Sequence, residues 1–100
     1  MDEILKYTRE ELIKILEELS LNLAWVQCQK ERAHLKTEEE NQKVNDFAES
    51  LNKNFSRILD PKYWDSAITV QIIQIYLETG QAQTVEQAVA LYEKNTPFNF

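Results

Sequence analysis

The chain has very few of the residues that interrupt helices. Its 100 residues include one glycine and two prolines, and neither type occurs between Thr8 and Leu59. Strands joined by tight turns rely on glycine and proline, so a long stretch without them is typical of helices. The sequence therefore predicts an all-α protein, and its length is that of a single domain spanning residues 1–100.

Cysteine, histidine and catalytic motifs are equally scarce. Cys28 is the one cysteine, which excludes a disulfide within the chain and a metal site made of several thiolates from one chain. Its simplest interpretation is a small buried apolar residue. His34 lies six residues later, a spacing that turns the two side chains of a helix apart and excludes a nucleophile–base pair. Since no phosphate-binding loop or hydrolase motif occurs either, we predict no catalytic residue, no cofactor and hence no enzyme.

Basic residues are outnumbered by acidic ones. Lysine and arginine total 11 against 17 aspartates and glutamates, which gives a formal net charge of −6. Nucleic-acid affinity depends on basic residues that neutralise phosphates, so we predict no nucleic-acid partner. No apolar run approaches the ~18 residues of a membrane span, and the start Met1-Asp2-Glu3 lacks the basic character of a signal peptide. We expect no membrane partner and a cytoplasmic location.

Two capping boxes indicate where the first two helices begin. Thr8 with Glu11, and Thr37 with Glu40, have the spacing in which each side chain accepts a hydrogen bond from the other residue's backbone N–H. Three acidic residues follow Thr37 in what would be the first turn, where they complement the helix dipole. The sequence therefore predicts a break near residues 34–36, between a first and a second helix.

The two helices are predicted to form an antiparallel hairpin over residues 8–59. Each carries one apolar stripe at helical spacing, made of Leu12, Leu16, Leu19, Leu23 and Val26 on the first and Val44, Phe47, Ala48, Leu51, Phe55 and Ile58 on the second. Residues 29–43 are almost wholly polar, so we expect a solvated tip. One continuous helix over residues 9–59, which would bury its stripes by dimerising, is the alternative.

A third helix is predicted from Asp60, as N-cap, and Pro61, at the first helical position, to about Thr79. Gly80 then fits the position just past a helix end. We expect this helix to be the most buried in the chain, because apolar residues occupy nearly all of its circumference. The exception is a narrow polar wedge made of Gln71, Gln74 and Glu78.

A short fourth helix follows, and the chain ends in an aromatic tail. Thr84 and Gln87 form a third capping box, which completes a C-terminal helix pair over residues 60–94. The predicted fold is therefore a bundle-like arrangement of four helices, in which the hairpin packs on this pair. Phe98 and Phe100 lie in the tail 95–100, which either docks on its own domain or inserts into a partner's pocket.

Leu21, Trp25 and Cys28 form a second apolar stripe, roughly opposite the first on the same helix. A helix that is apolar on two sides must be covered on two sides. The third and fourth helices are expected to supply part of that cover, and a second copy of the chain the rest. Together with Phe98 and Phe100, these three residues are our candidate interface. We therefore predict a non-enzymatic protein–protein interaction module that forms a homodimer.

Aromatic residues elsewhere leave a further choice open. Trp64 and Tyr63 could join Trp25 as interface anchors, because tryptophan and tyrosine dominate binding energy where a partner buries them. The alternative is that all three are core residues. Trp64 fits the core in particular, because its spacing from Leu59 would close a hydrophobic staple, whereas for Trp25 both interpretations stay open.

Two other functions come from different classes. Glu31 and His34 have the Glu-x-x-His spacing of di-iron carboxylate bundles, and with one histidine per chain only a symmetric dimer could assemble such a metal site. Otherwise, the acidic residues 38–40 at the hairpin tip could bind a basic protein surface, as a phage- or plasmid-borne inhibitor would. That binding would weaken at high salt.

The segment 80–94 carries a resemblance. Its sequence GQAQTVEQAVALYEK resembles a segment of small uncharacterised helical proteins from Gram-positive bacteria and their mobile elements. Those proteins share a turn, then threonine, alanine and Leu-Tyr-Glu. The resemblance implies a helical fold and no particular activity.

Overall fold

The computed structural model describes residues 7–95, which form four α-helices and no strand. The helices are α1 (Arg9–Glu31), α2 (Glu38–Phe55), α3 (Ala67–Glu78) and α4 (Val85–Asn95), with single 3₁₀ turns at Ala33–Leu35 and Pro61–Tyr63. The all-α prediction is confirmed. So is the hairpin, because α1 ends before the 3₁₀ turn and α2 restarts after it, which excludes the continuous helix over 9–59.

The predicted capping boxes begin the first two helices. The Thr8 and Thr37 hydroxyls accept hydrogen bonds from the N–H groups of Glu11 and Glu40, and both glutamate carboxylates accept in return from the threonine N–H. The box before α4 is altered: Thr84 accepts from the Gln87 N–H as expected, but the Gln87 side chain accepts from the N–H of residue 83. The Gln87 side chain thus binds the N–H one residue before Thr84, and both hydrogen bonds of the cap still form.

The core lies between α1 and its two flanking helices, and its central residues are the predicted ones. All five residues of the first stripe are buried, with Leu16 and Leu19 wholly inaccessible. The buried residues that face them are Val44, Leu51, Phe55 and Ile58 from the second stripe and Ala67, Val70, Ile73 and Leu77 from α3. Between Val26 and Val44 no residue is buried, which agrees with a solvated hairpin tip.

The predicted start of the third helix is wrong. Asp60 does act as an N-cap, since its carboxylate accepts from the Lys62 N–H, but it caps a single 3₁₀ turn. The α-helix begins seven residues later, where the Ser66 hydroxyl accepts from the Ile68 N–H. The chain breaks in between because Tyr63 and Trp64 turn inward to pack against the core. α2 likewise ends at Phe55, and residues 56–59 form a turn.

The predicted orientation of α3 is also partly wrong. Gln74, assigned to the polar wedge, is buried with 8% of its surface exposed, whereas Ile68 and Ile75 are 65% and 48% exposed. A helix that is apolar nearly all round can bury any of its sides, and here the side with Val70 and Ile73 faces α1. Ile68 and Ile75, on the opposite side of α3, are therefore exposed to solvent.

The end of α3 is tied to the start of α1. Gly80 has a positive φ of 80°, the left-handed conformation that ends many helices, as its position predicted. The Arg9 guanidinium donates a hydrogen bond of 2.9 Å to the Leu77 carbonyl, so a cation complements the negative end of the α3 dipole. At the other end of the contact, the Gln27 amide donates to the Asp65 carbonyl. α3 therefore runs antiparallel to α1.

The molecule is flat, with principal dimensions of 44 × 36 × 20 Å. The shortest dimension corresponds to about two helix diameters. A helix in this fold therefore packs on other helices with one side and has its opposite side uncovered. α2 and α3 flank α1, and α4 packs mainly on α3. No helix within residues 7–95 is long and apolar enough to cross a membrane.

We expect Ser20 to set the spacing between α1 and α3, because it lines a cavity between these helices together with Gln74 of α3. Ser20 is 2% exposed, and its hydroxyl donates to the Glu17 carbonyl of its own helix. Ser20→Leu should lower the free energy of unfolding by about 1–3 kcal/mol through overpacking. Ser20→Ala, which removes only the hydroxyl, should be nearly neutral. Urea unfolding followed by circular dichroism measures both, and equal stability of the two variants would show that the contact is loose.

Candidate functional site

The second apolar stripe of α1 lies on the outer side of the helix. Leu21 is 63% exposed, Trp25 is 47% exposed and Cys28 is also exposed. The interpretation of Cys28 as a buried residue is therefore wrong. So is the expectation that the third and fourth helices cover this stripe, because α2 and α3 meet α1 at its inner side and flanks.

α2 supports one edge of the stripe. The indole of Trp25 packs edge-on against the ring of Phe47, with centroids 5.2 Å apart and an angle of 76° between the planes. Phe47 is itself half-buried against the core. Such a pair adds stabilisation beyond area burial and fixes the orientation of both rings, so about half of the indole is held rigidly towards solvent.

α3 extends the stripe on the other edge. Leu21 and Ile75 line one shallow cavity of about 240 Å³, with Gln74 among the side chains between them. Ile68 lies seven residues before Ile75, two turns along the same side of α3. Because α3 is antiparallel to α1, Ile75 lies beside the Leu21 end of the stripe and Ile68 towards the Cys28 end.

We call these five residues the apolar face: Leu21, Trp25, Cys28, Ile68 and Ile75. The three residues on α1 are predictable from their spacing, whereas the two on α3 were expected in the core. Their i, i+7 separation was visible in the sequence. Nothing in an all-round apolar helix, however, indicates which side faces outward.

Charge is unevenly distributed along the outer side of α1. The stripe continues to Glu18, three residues before Leu21, and to Arg32, four residues after Cys28, and both are exposed. Glu17, in the lining of the cavity beside Leu21, adds a second carboxylate at the first end. The Leu21 end of the apolar face is thus acidic. At the Cys28 end, Arg32 is accompanied by Lys30 and Glu31, which line a shallow cavity with Cys28, so that end is basic on balance.

The other candidates do not come together as a site. Trp64 and Tyr63 pack on the core rather than on the apolar face, and the Tyr63 hydroxyl donates to the Glu93 carboxylate at 2.7 Å. The tail with Phe98 and Phe100 lies outside the described residues.

The metal candidates lack the arrangement that the sequence spacing implied. Glu31 is the last residue of α1 and His34 lies in the following 3₁₀ turn, so they do not share an α-helical face. Both are exposed. Within residues 7–95 no three histidine, cysteine, aspartate or glutamate side chains are grouped to hold a metal ion.

At the acidic tip, one of the three carboxylates is used by the backbone. Glu38 and Glu39 are exposed, while Glu40 accepts the Thr37 N–H at 2.9 Å. That backbone hydrogen bond, followed by the one with the Thr37 hydroxyl, lowers the pKa of Glu40 below its ordinary value.

Comparison of the chain with protein families, curated proteins and solved structures found no match. The resemblance of residues 80–94 to small Gram-positive helical proteins therefore stays a prediction. The case for a function depends on the geometry of the apolar face.

The capping box of α2 should make stability depend on pH through Glu40. Since the pKa of Glu40 is lowered on folding, its contribution is complete above the ordinary glutamate value and is lost as the pH falls through the folded value. Glu40→Gln should therefore be less stable than the wild type at pH 7, and the difference should shrink towards pH 3. Urea unfolding at both pH values tests this, with Glu39→Gln as the control. A difference independent of pH would contradict it.

Proposed function

We propose that the chain is a non-enzymatic protein–protein interaction module that binds through the apolar face and self-associates as a homodimer. The observation that carries the proposal is the exposure of Leu21, Trp25, Ile68 and Ile75 on one side of two adjacent helices. Large apolar side chains scattered singly are normal on protein surfaces, but several of them on neighbouring helices, with polar and charged residues around them, are typical of binding sites.

The orientation of Trp25 adds to this proposal. Tryptophan is among the residues that contribute most to binding energy, and here its ring is fixed against Phe47. A rigid anchor loses little conformational entropy when a partner covers it. Ala24 and Cys28 next to it are small and exposed, which leaves room for a partner's side chains on either side of the indole.

The size of the apolar face is consistent with weak association. With about 200 Å² for a large apolar side chain, the exposed fractions amount to roughly 400 Å² per copy. Stable interfaces bury about 800 Å² per partner, and transient ones less. Polar residues at the rim add to the buried area, so we expect a dimer that forms at micromolar rather than nanomolar concentrations.

Replacing Leu21 should weaken the association. Leu21→Ser removes a side chain whose burial contributes about 1.5–3 kcal/mol, and does so in both copies of a symmetric dimer. The dissociation constant measured by sedimentation equilibrium should rise at least tenfold, since about 1.4 kcal/mol corresponds to a factor of ten.

Leu35→Ser is the matched control for this experiment. Leu35 is 73% exposed at the hairpin tip, outside the apolar face, so the same chemical change there should leave the dissociation constant unaltered. A wild-type protein that remains monomeric up to millimolar concentration would contradict self-association. Equal weakening by both variants would contradict the assignment of the site.

A further inference from the structure

We infer that the apolar face binds a second copy of the chain with the two α1 helices antiparallel and Trp25 at the two-fold axis. The inference rests on the proposed function and specifies its geometry. It is carried by the order of residues along the outer side of α1: Glu18, Leu21, Trp25, Cys28 and Arg32.

Antiparallel pairing about Trp25 places apolar residues opposite apolar residues and an acidic residue opposite a basic one. Residues equally distant from the axis face each other across an isologous interface. Leu21 lies four residues before Trp25 and Cys28 three residues after it. Leu21 of one copy and Cys28 of the other are therefore only about 1.5 Å out of register along the helices, and an apolar side chain meets another. Glu18 lies opposite Arg32 of the other copy, and the two-fold repeats each contact.

Charge disfavours two competing arrangements. A parallel pair would place Glu18 against Glu18 and Arg32 against Arg32, and like charges that face each other disfavour association. A different antiparallel register, centred between Leu21 and Trp25, would place Lys14 against Arg32 and leave Glu18 against Cys28. The register centred on Trp25 brings opposite charges together and leaves no charge facing an apolar residue of the stripe.

The isoleucines of α3 fit the same symmetry. The two-fold axis lies in the plane of the interface, so α3 of one copy faces α3 of the other. Ile75 lies at the Leu21 end and Ile68 towards the Cys28 end, and rotation about the axis therefore brings Ile75 opposite Ile68 of the other copy. One symmetry operation thus covers all five residues of the apolar face.

Disulfide trapping distinguishes the geometries. In wild-type dimers the two Cys28 residues lie about 9 Å apart along the helix direction and on helices 8–10 Å apart, which exceeds the roughly 7 Å between Cα atoms that a disulfide spans. Leu21→Cys places a new thiol opposite Cys28 of the other copy. Within one chain these positions are about 10 Å apart, so they cannot pair.

At concentrations where sedimentation shows equal fractions of dimer, Leu21→Cys should form cross-linked dimers under mild oxidation at least tenfold faster than the wild type, and peptide mapping should identify a bond between positions 21 and 28. Leu35→Cys, with the same number of thiols, should cross-link no faster than the wild type. Rapid formation of a disulfide between two Cys28 residues in the wild type would overturn the antiparallel geometry. Equal rates of cross-linking for Leu21→Cys and Leu35→Cys would also overturn it.

Charge reversal provides an independent measurement. Glu18→Arg and Arg32→Glu should each raise the dissociation constant several-fold, because each creates two repulsive pairs, and the double variant should return to within about threefold of the wild type. Glu18 and Arg32, the C-cap of α1, lie about 21 Å apart along the helix axis, so the recovery cannot arise within a chain. Additive weakening in the double variant would overturn the register.

Self-association and its antiparallel geometry can be contradicted separately. If sedimentation shows a dimer that depends on Leu21 but the bond between positions 21 and 28 does not form, the proposed function stands and the antiparallel geometry is wrong. If no dimer forms at any concentration, the proposed self-association is wrong as well.

Discussion

The burial of one side of α1 is the constraint on which the rest of the structure depends. Leu16 and Leu19 are wholly inaccessible because α2 closes over one flank and α3 over the other. α4 joins the fold mainly through its contact with α3. The same constraint creates the apolar face: two helices that meet on the inner side of α1 leave its outer side uncovered, so the core and the exposed stripe have one geometric origin.

Much of the fold could be predicted because the helix ends depend on residues only a few positions apart in the sequence. Thr8 and Thr37 begin helices through interactions that span three residues, and Gly80 ends one through its own backbone preference. The start of α3 depends on a choice between two good caps, Asp60 and Ser66. α3 begins after Ser66 because Tyr63 and Trp64 pack on the core. That packing is a tertiary interaction, which the local sequence does not indicate.

In the candidate site, too, some residues could be predicted from local spacing and others could not. The exposed stripe on α1 could be found from its spacing, since a helix with one apolar side already assigned to the core has a second side to explain. Ile68 and Ile75 could not, because α3 has apolar residues around nearly its whole circumference and its orientation is set by the shape of α1. Burial of Gln74, and the exposure of two isoleucines in its place, is a tertiary effect.

The hairpin tip is held by hydrogen bonds rather than by buried side chains. Between Val26 and Val44 no side chain is buried, and the turn is secured by the Thr37 capping box and by the Asn41 amide, which donates to the Ala33 carbonyl. Opening of this segment therefore exposes almost no apolar surface and does not disturb the core. Backbone amides there should exchange their hydrogens through local fraying, which makes the tip the place where this chain best tolerates an insertion or a fused tag.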